Sequence, residues 1–360
     1  MNTERGRKME KLIKLMVGPT EIPDRILKAM NTPSISHRSK EYEKSQEAVI
    51  NGVKKLMGTN NDIYITTSSG TGAMEAVIQN LFSLGDKVVV PIIGSFSSQY
   101  AEMCEAFGLQ VKRIEFELGE DADFEVVMKS VNSDTKAVFV VHNESSTGVF
   151  NNLEAFGKSL QNTDTILITD SISGLGGLEM KMDEWGIDVV IATSQKALMS
   201  PPGISFISMG DKAKYRMKTS RFPKYYFDLR KFDSFNTKNQ TPNTPSVYTL
   251  FAVEEALKMI FEEGLDSVYQ RHMSNRNYLI EGLSDLGIDI LPNRLEIASP
   301  TLTAVKFPGV ADIIASKLKR EGIIVNMGLG EQRNDIIRIG TMGYVSKNDL
   351  VCLLSVLRSL

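Results

Sequence analysis

Between about residue 60 and residue 210 the chain alternates short apolar runs with longer stretches of helical period. Ile63-Tyr64-Ile65-Thr66, Lys87-Val88-Val89-Val90, Val138-Phe139-Val140-Val141, Ile166-Leu167-Ile168-Thr169 and Val189-Val190-Ile191-Ala192 are rich in β-branched residues. Apolar side chains at successive rather than alternate positions predict strands covered on both faces, as in a parallel sheet between two helical layers. Within Ala73–Leu81, the side chains of Met74, Val77, Ile78 and Leu81 share one helical face. This βα alternation predicts an α/β fold with a mostly parallel sheet, flanking helices and right-handed crossovers.

After about residue 245 the pattern changes. Val247–Glu263 and Leu265–Leu286 predict two consecutive long helices. Shorter strands at Thr303–Phe307, Ile323–Met327 and Ile336–Gly340 then alternate with helices at Ala311–Glu321 and Lys347–Leu357. The expected organisation is a large domain over 16–262 and a small C-terminal α+β domain over 263–360. Residues 211–245, rich in aromatics, Lys, Asn, Thr and Pro, are expected to be irregular. Residues 1–15 carry Arg5, Arg7, Lys8, Lys11 and Lys14 without the apolar core of a secretory signal, and read as a surface arm.

Charge narrows the function classes. Lys plus Arg number 41 against 44 Asp plus Glu, a net charge of −3 over 360 residues. So small a balance supplies no global field for nucleic acid or an anionic membrane. No apolar stretch reaches transmembrane length. The two cysteines, Cys104 and Cys352, fit a reducing compartment and sit at core-like helical spacing. The three histidines, at 37, 142 and 272, lie in separate segments without ligand spacing, so no metal site is expected. A cytoplasmic enzyme or binding protein remains.

In an open parallel sheet, ligands sit beyond the carboxyl ends of the strands. After Ile65 comes Thr66-Thr67-Ser68-Ser69-Gly70-Thr71-Gly72, running into a helix. Small residues there let backbone N–H groups approach an anion. A Ser- or Thr-capped loop is the ordinary reading of this segment alone, and it lacks the Gly-Lys-Ser/Thr ending of a nucleotide loop. Strand 166–170 ends in Asp170, an acid that leaves an apolar run and needs a cationic or N–H partner. Lys196 follows a buried-looking strand and precedes the apolar Ala197–Gly203; an amine stripped of water there is a nucleophile for carbonyls. Phe96, in the loop after strand 87–91, is placed to stack on a ring or to serve the core. An anion cradle, a buried acid and a desolvated lysine on neighbouring strands form the set that pyridoxal 5′-phosphate asks for.

The chain resembles the class V, fold-type I pyridoxal-phosphate aminotransferases, most of all their alanine–glyoxylate/serine–pyruvate branch. The resemblance runs from about Met16 to the C-terminus. It is carried by His142-Asn143-Glu144-Ser145-Ser146-Thr147-Gly148, by Asp170-Ser171 with Gly174-Leu175-Gly176-Gly177, and by Ser194-Gln195-Lys196-Ala197-Leu198 with Pro201-Pro202-Gly203. Ile337-Arg338-Ile339-Gly340 adds to it. The resemblance implies that Lys196 forms an imine with the cofactor and later moves the substrate proton. It implies that Asp170 pairs with the pyridine nitrogen, that Ser145 approaches the phenolic oxygen, and that Phe96 stacks. Ser69, Gly70, Thr71 and Gln195 match phosphate-binding positions, and Arg338 matches the arginine that takes the substrate α-carboxylate. Gly18, in Val17-Gly18-Pro19-Thr20, matches a backbone contact to that carboxylate. Gln240 and Thr241 match a loop that completes the neighbouring subunit's phosphate site, which implies a homodimer. Arg38, in Ser36-His37-Arg38-Ser39, matches a reader of a distal acidic group and fits a helix-start role equally.

The implied activity is ping-pong transfer of an amino group from alanine or serine to glyoxylate or pyruvate. An acidic, phospho- or phosphono-amino acid is the alternative substrate class. A cysteine desulfurase shares the fold, but neither cysteine falls in an active-site loop. A non-catalytic protein on this scaffold need not keep Lys196, Asp170, Ser145 and Arg338 together.

Overall fold

The computed structural model describes residues 12–360. Seven strands form the central sheet: Asp62–Thr66 (β1), Lys87–Ile92 (β2), Gln110–Glu115 (β3), Thr135–Val141 (β4), Ile166–Asp170 (β5), Val189–Thr193 (β6) and Ser205–Met209 (β7). Their spatial order is β1-β7-β6-β5-β4-β2-β3. β7 runs antiparallel to both neighbours, and every other pair is parallel. The unbroken apolar runs are explained by two cores. Val138 and Val140 of β4 enter one, with Leu167, Val190 and Phe206, whereas Ala137 and Phe139 enter the other, with Ile168, Ile191 and Ile207. Successive side chains point to opposite faces, so both parities must be apolar when helices cover both.

The long helices Lys40–Met57 and Val247–Glu263 pack together on one face, closely enough that a Cβ at Gly52 would lie 2.8 Å from Leu257 Cδ1. Val247–Glu263 and Leu265–Asp285 follow one another through Gly264, whose φ is +87°. Beyond them a three-stranded antiparallel sheet, ordered Leu302–Lys306, Ile336–Gly340, Asn326–Met327, packs against Leu265–Asp285 and Lys347–Ser359 over a separate core of Leu279, Leu283, Ile337, Ile339 and Leu353.

Four expectations are corrected. Residues 211–245 hold two short helices, Asp211–Met217 and Leu229–Asn236, each anchored by a pair of buried apolar residues: Ala213 with Met217, and Leu229 with Phe232. Asp228 caps the second by accepting the Arg230 N–H, a cap the composition of the segment hides. The run Ile323–Met327 is not one strand. Its first half pairs in parallel with Ile13–Lys14, and its second half pairs with Ile336–Gly340. The last residues of the expected arm therefore enter the fold: Leu15 is fully buried and accepts the Gly340 N–H. Residues 1–11 of that arm, with Arg5, Arg7, Lys8 and Lys11, lie outside the described residues. Cys352 is exposed on the terminal helix, whereas Cys104 is buried as its spacing suggests.

Candidate active site

The loops that leave the carboxyl ends of β1, β2, β4, β5 and β6 converge on a cavity of about 180 Å³. Ser69, Gly70, Thr71, Phe96, Ser145, Asp170, Gln195 and Lys196 all line it. A larger cleft of about 1000 Å³ lies at the opposite, amino ends of the strands, between Asp86, Lys136, Asp164 and Arg216, and contains none of these residues.

One end of the cavity is built for an anion. Ser69 caps the helix Gly70–Leu81, its hydroxyl accepting the Gly72 N–H at 3.3 Å. The Gly70 and Thr71 N–H groups donate no hydrogen bond among the described residues. Two free amides at the positive end of a 12-residue helix are suited to receive an anion. Gln195 Oε1 is buried beside them on the cavity wall without a partner.

Asp170 closes β5 facing the same space. Its Oδ1 accepts the Ile172 N–H at 2.7 Å, but burial dominates and pushes the carboxyl up to about 7, helped by the nearby Glu144 charge. Burial acts in the opposite sense on Lys196, drawing its amine down to about 8, and the Arg338 charge adds to this. Lys196 Nζ donates to the Val17 carbonyl at 2.6 Å. Gly18 sits against the lysine with φ +113°, and a Cβ there would lie 2.5 Å from Lys196 Cδ, so only glycine fits. Thr20 holds this N-terminal loop down, donating its N–H to the Gln195 carbonyl and its hydroxyl to that of Lys196, at 3.0 and 2.8 Å.

Arg338, on the strand Ile336–Gly340, does not line the cavity but is joined to it through Ser145, which does. It is buried, and its hydrogen-bond partners are carbonyl oxygens: Nε donates to Met327 at 2.8 Å and Nη1 to Ser145 at 3.0 Å. Burial lowers it to about 10. A buried guanidinium bonded to neutral groups is an anion receptor in waiting. His142, which follows β4, is buried with Nδ1 2.9 Å from Ser171 Oγ, and burial lowers it to about 4.

Asn143 is a cavity residue that the sequence reading passed over. The Ser173 hydroxyl donates to the Asn143 carbonyl, and the Thr301 hydroxyl donates to the Ser173 carbonyl. Both hydroxyl oxygens are therefore left as acceptors for Asn143 Nδ2, at 2.8 and 3.0 Å. The amide orientation is fixed by this network, and Oδ1 is left buried without a partner. No local signal reveals this, because the partners lie 30 and 158 residues away.

Arg38, Gln240 and Thr241 form a separate group. Arg38 Nη1 donates to Gln240 Oε1 at 3.0 Å and to the Thr241 carbonyl at 2.7 Å, with its guanidinium 5.0 Å over the Phe235 ring. Gln240 Nε2 donates to Glu43 Oε1. None of the three lines the cavity of its own chain. Among the described residues, no three His, Cys, Asp or Glu side chains converge as a metal-binding set, and no helix is long and apolar enough to cross a membrane.

An α/β sheet presenting a lysine, an acid and a helix-end anion site at its strand termini defines the fold-type I pyridoxal-phosphate enzymes. The residues fit that cofactor: free amides for a phosphate, an aromatic face at Phe96, a buried carboxyl for a ring nitrogen and an amine for an aldehyde. The chain belongs to the class-V aminotransferase family, whose sequence pattern matches residues 17–350. It is an aminotransferase of the pyridoxal-phosphate-dependent kind. A serine–glyoxylate aminotransferase of Methylorubrum extorquens is 34% identical, over 93% of this chain and 87% of its own. A Synechococcus protein (strain PCC 6716) named soluble hydrogenase, small subunit, is 37% identical over 97% of this chain and 93% of its own. The crystal structure of an alanine–glyoxylate aminotransferase from Nostoc superposes with a TM-score of 0.92 at 29% identity, covering 100% of this chain and 97% of that one.

Proposed function

We propose that this aminotransferase moves the amino group of alanine or serine to glyoxylate or pyruvate in a ping-pong cycle. The observation that carries the reading is a water-stripped lysine on the cavity wall, near enough to a buried arginine to feel its charge, with that arginine bonded only to carbonyls, one of them that of the cavity residue Ser145. The first is set for carbonyl chemistry and the second for a carboxylate. Glyoxylate as acceptor is supported by the names of the serine and alanine relatives.

Bound here, pyridoxal phosphate supplies an aldehyde that takes the amino group and a ring that accepts the electron pair released at the substrate Cα. Ser69, Gly70, Thr71 and Gln195 would hold its phosphate. Lys196, its amine lowered to about 8, holds a far larger neutral fraction near neutral pH than an ordinary lysine; it would hold the cofactor through its aldehyde and serve as the base that moves the substrate Cα proton. Asp170 would pair with the ring nitrogen; its carboxyl, raised to about 7 by burial, would be ionised beside that cation and supply a fixed negative charge. Ser145 would approach the phenolic oxygen and Phe96 would cover the ring, both lining the cavity. Arg338 takes the α-carboxylate in a two-pronged contact, with the Gly18 backbone beside it.

We also propose a cytoplasmic homodimer in which Gln240 and Thr241 complete the neighbour's phosphate site; their position outside their own cavity supports this. An acidic or phosphorylated substrate would call on Arg38, and the commitment of that guanidinium to Gln240, Thr241 and Phe235 weighs against it. The test is a donor–acceptor screen on the purified yellow enzyme. Alanine or serine is expected to bleach the visible band, and glyoxylate or pyruvate to restore it. Bleaching by aspartate or phosphoserine, with alanine and serine inert, rejects the substrate assignment.

A further inference from the structure

Glu144 belongs to the short hairpin Asn143–Glu144 with Val149–Phe150 and is fully buried. Buried carboxylates are costly unless their oxygens are filled. Here Oε1 accepts the Phe96 N–H at 3.2 Å, the Ser146 N–H at 3.1 Å and the Ser146 hydroxyl at 2.6 Å. Oε2 accepts the Ser97 N–H at 2.9 Å. All four donors are amides or a hydroxyl. The carboxylate thus caps the helix Ser95–Ala106 from outside it, meeting both its free amides and its positive end. Ser146 extends the cap, its hydroxyl oxygen also accepting the Ser95 N–H at 2.9 Å. The contact is so close that a Cβ at Gly94 would lie 2.6 Å from Glu144 Cγ and 2.4 Å from Ser146 Oγ.

The geometry ties together residues from distant parts of the site. Phe96 is in the first turn of the capped helix. Ser145 lies between the two residues that do the capping, and its carbonyl holds Arg338 Nη1. The two helix starts also divide the labour. The one at Ser95 has its amides filled from within the chain, whereas the one at Gly70 keeps two free for a ligand.

We propose that Glu144 is a positioning residue for transamination: its carboxylate locks Phe96, Ser145 and, through the Ser145 carbonyl, Arg338 into one frame. This inference rests on the roles proposed above for those three residues. Glu144→Gln keeps the shape but turns one acceptor atom into a donor facing an N–H.

Hydrogen exchange on the cofactor-free protein tests the lock without any catalysis. Amide exchange at Phe96, Ser97 and Ser146 is expected to rise at least roughly tenfold in Glu144→Gln, because charged hydrogen bonds are lost there. Exchange in the central strand Thr135–Val141 is expected to stay unchanged. In the loaded enzyme, KM for both amino acid and oxo acid is expected to rise by about tenfold through the loosened Arg338, with a changed circular dichroism band of the cofactor. Wild-type exchange at those amides, or KM values within about twofold of wild type, overturns the inference. Should Glu144→Gln not fold, Ser146→Ala carries the test by removing one prong of the cap. It is expected to raise exchange at Ser95 and Phe96, and wild-type exchange there overturns the inference equally. A donor other than alanine or serine, found alongside the altered exchange, overturns the substrate assignment alone.

Discussion

Three side chains divide the chemistry, and each makes a separable prediction. Lys196→Ala is expected to abolish borohydride-trappable cofactor and lower turnover by about 10²–10⁴, read by mass spectrometry and steady-state rates. Asp170→Asn is expected to retain cofactor and lose about 10²–10³ in kcat, since a neutral amide cannot hold a proton on the ring nitrogen. Arg338→Ala removes charged hydrogen bonds and is expected to raise KM for both substrates by roughly 10- to 100-fold, leaving the cofactor spectrum in place. The same groups set a pH signature in the cofactor-free protein. Asp170 is raised from 3.8 to about 7, so the folded state holds a proton that the unfolded chain has released, and this contribution to stability is lost as pH rises through that window. Lys196 is lowered from 10.5 to about 8, so its contribution is present above 10.5 and lost as pH falls through about 8. Thermal melts against pH are expected to show the first slope in wild type and to lose it in Asp170→Asn.

At the scale of elements, the site is a set of strand ends and helix starts. Ser69→Ala removes the cap of the helix Gly70–Leu81 and is expected to cost about 1 kcal/mol of stability together with weakened cofactor retention, read by melting and by dialysis. What was legible in the sequence follows the same logic. Asp170, Lys196 and Ser69-Gly70-Thr71 stood out because each ends or follows an apolar run, and a parallel sheet delivers such residues to one edge. The helices Asp211–Met217 and Leu229–Asn236 stayed hidden because two buried residues apiece are too few to mark a period. The run Ile323–Met327 looked like one strand because apolarity reports burial but not which partner each half pairs with. Arg338 was placed by resemblance. What the sequence could not convey is that it would hang from the carbonyl of Ser145, 193 residues away.

At the scale of the whole molecule, the proposed dimer predicts complementation. A Lys196→Ala subunit and a subunit carrying Gln240→Ala and Thr241→Ala are each expected to be poorly active alone. Mixed and reassembled, they restore one complete site of two if the phosphate loop acts on the neighbour. If that loop serves its own chain, mixing restores nothing. Sedimentation of the wild-type protein is expected to give twice the chain mass, and a monomer would reject the shared-site arrangement.

The pairing of Ile13–Lys14 with Ile323–Ile324, and of Leu15 with Gly340, has a bearing on biogenesis. The loop that leans on the lysine is threaded between segments made first and segments made last. On the ribosome the central sheet has all its strands long before Arg338 emerges, yet the wall formed by residues 17–20, though it can reach residues 195 and 196, lacks the strand partners of the segment before it until then. Vitamin capture in a finished chamber therefore belongs to the released chain, and a nascent polypeptide halted before residue 323 would own the lysine without the room around it.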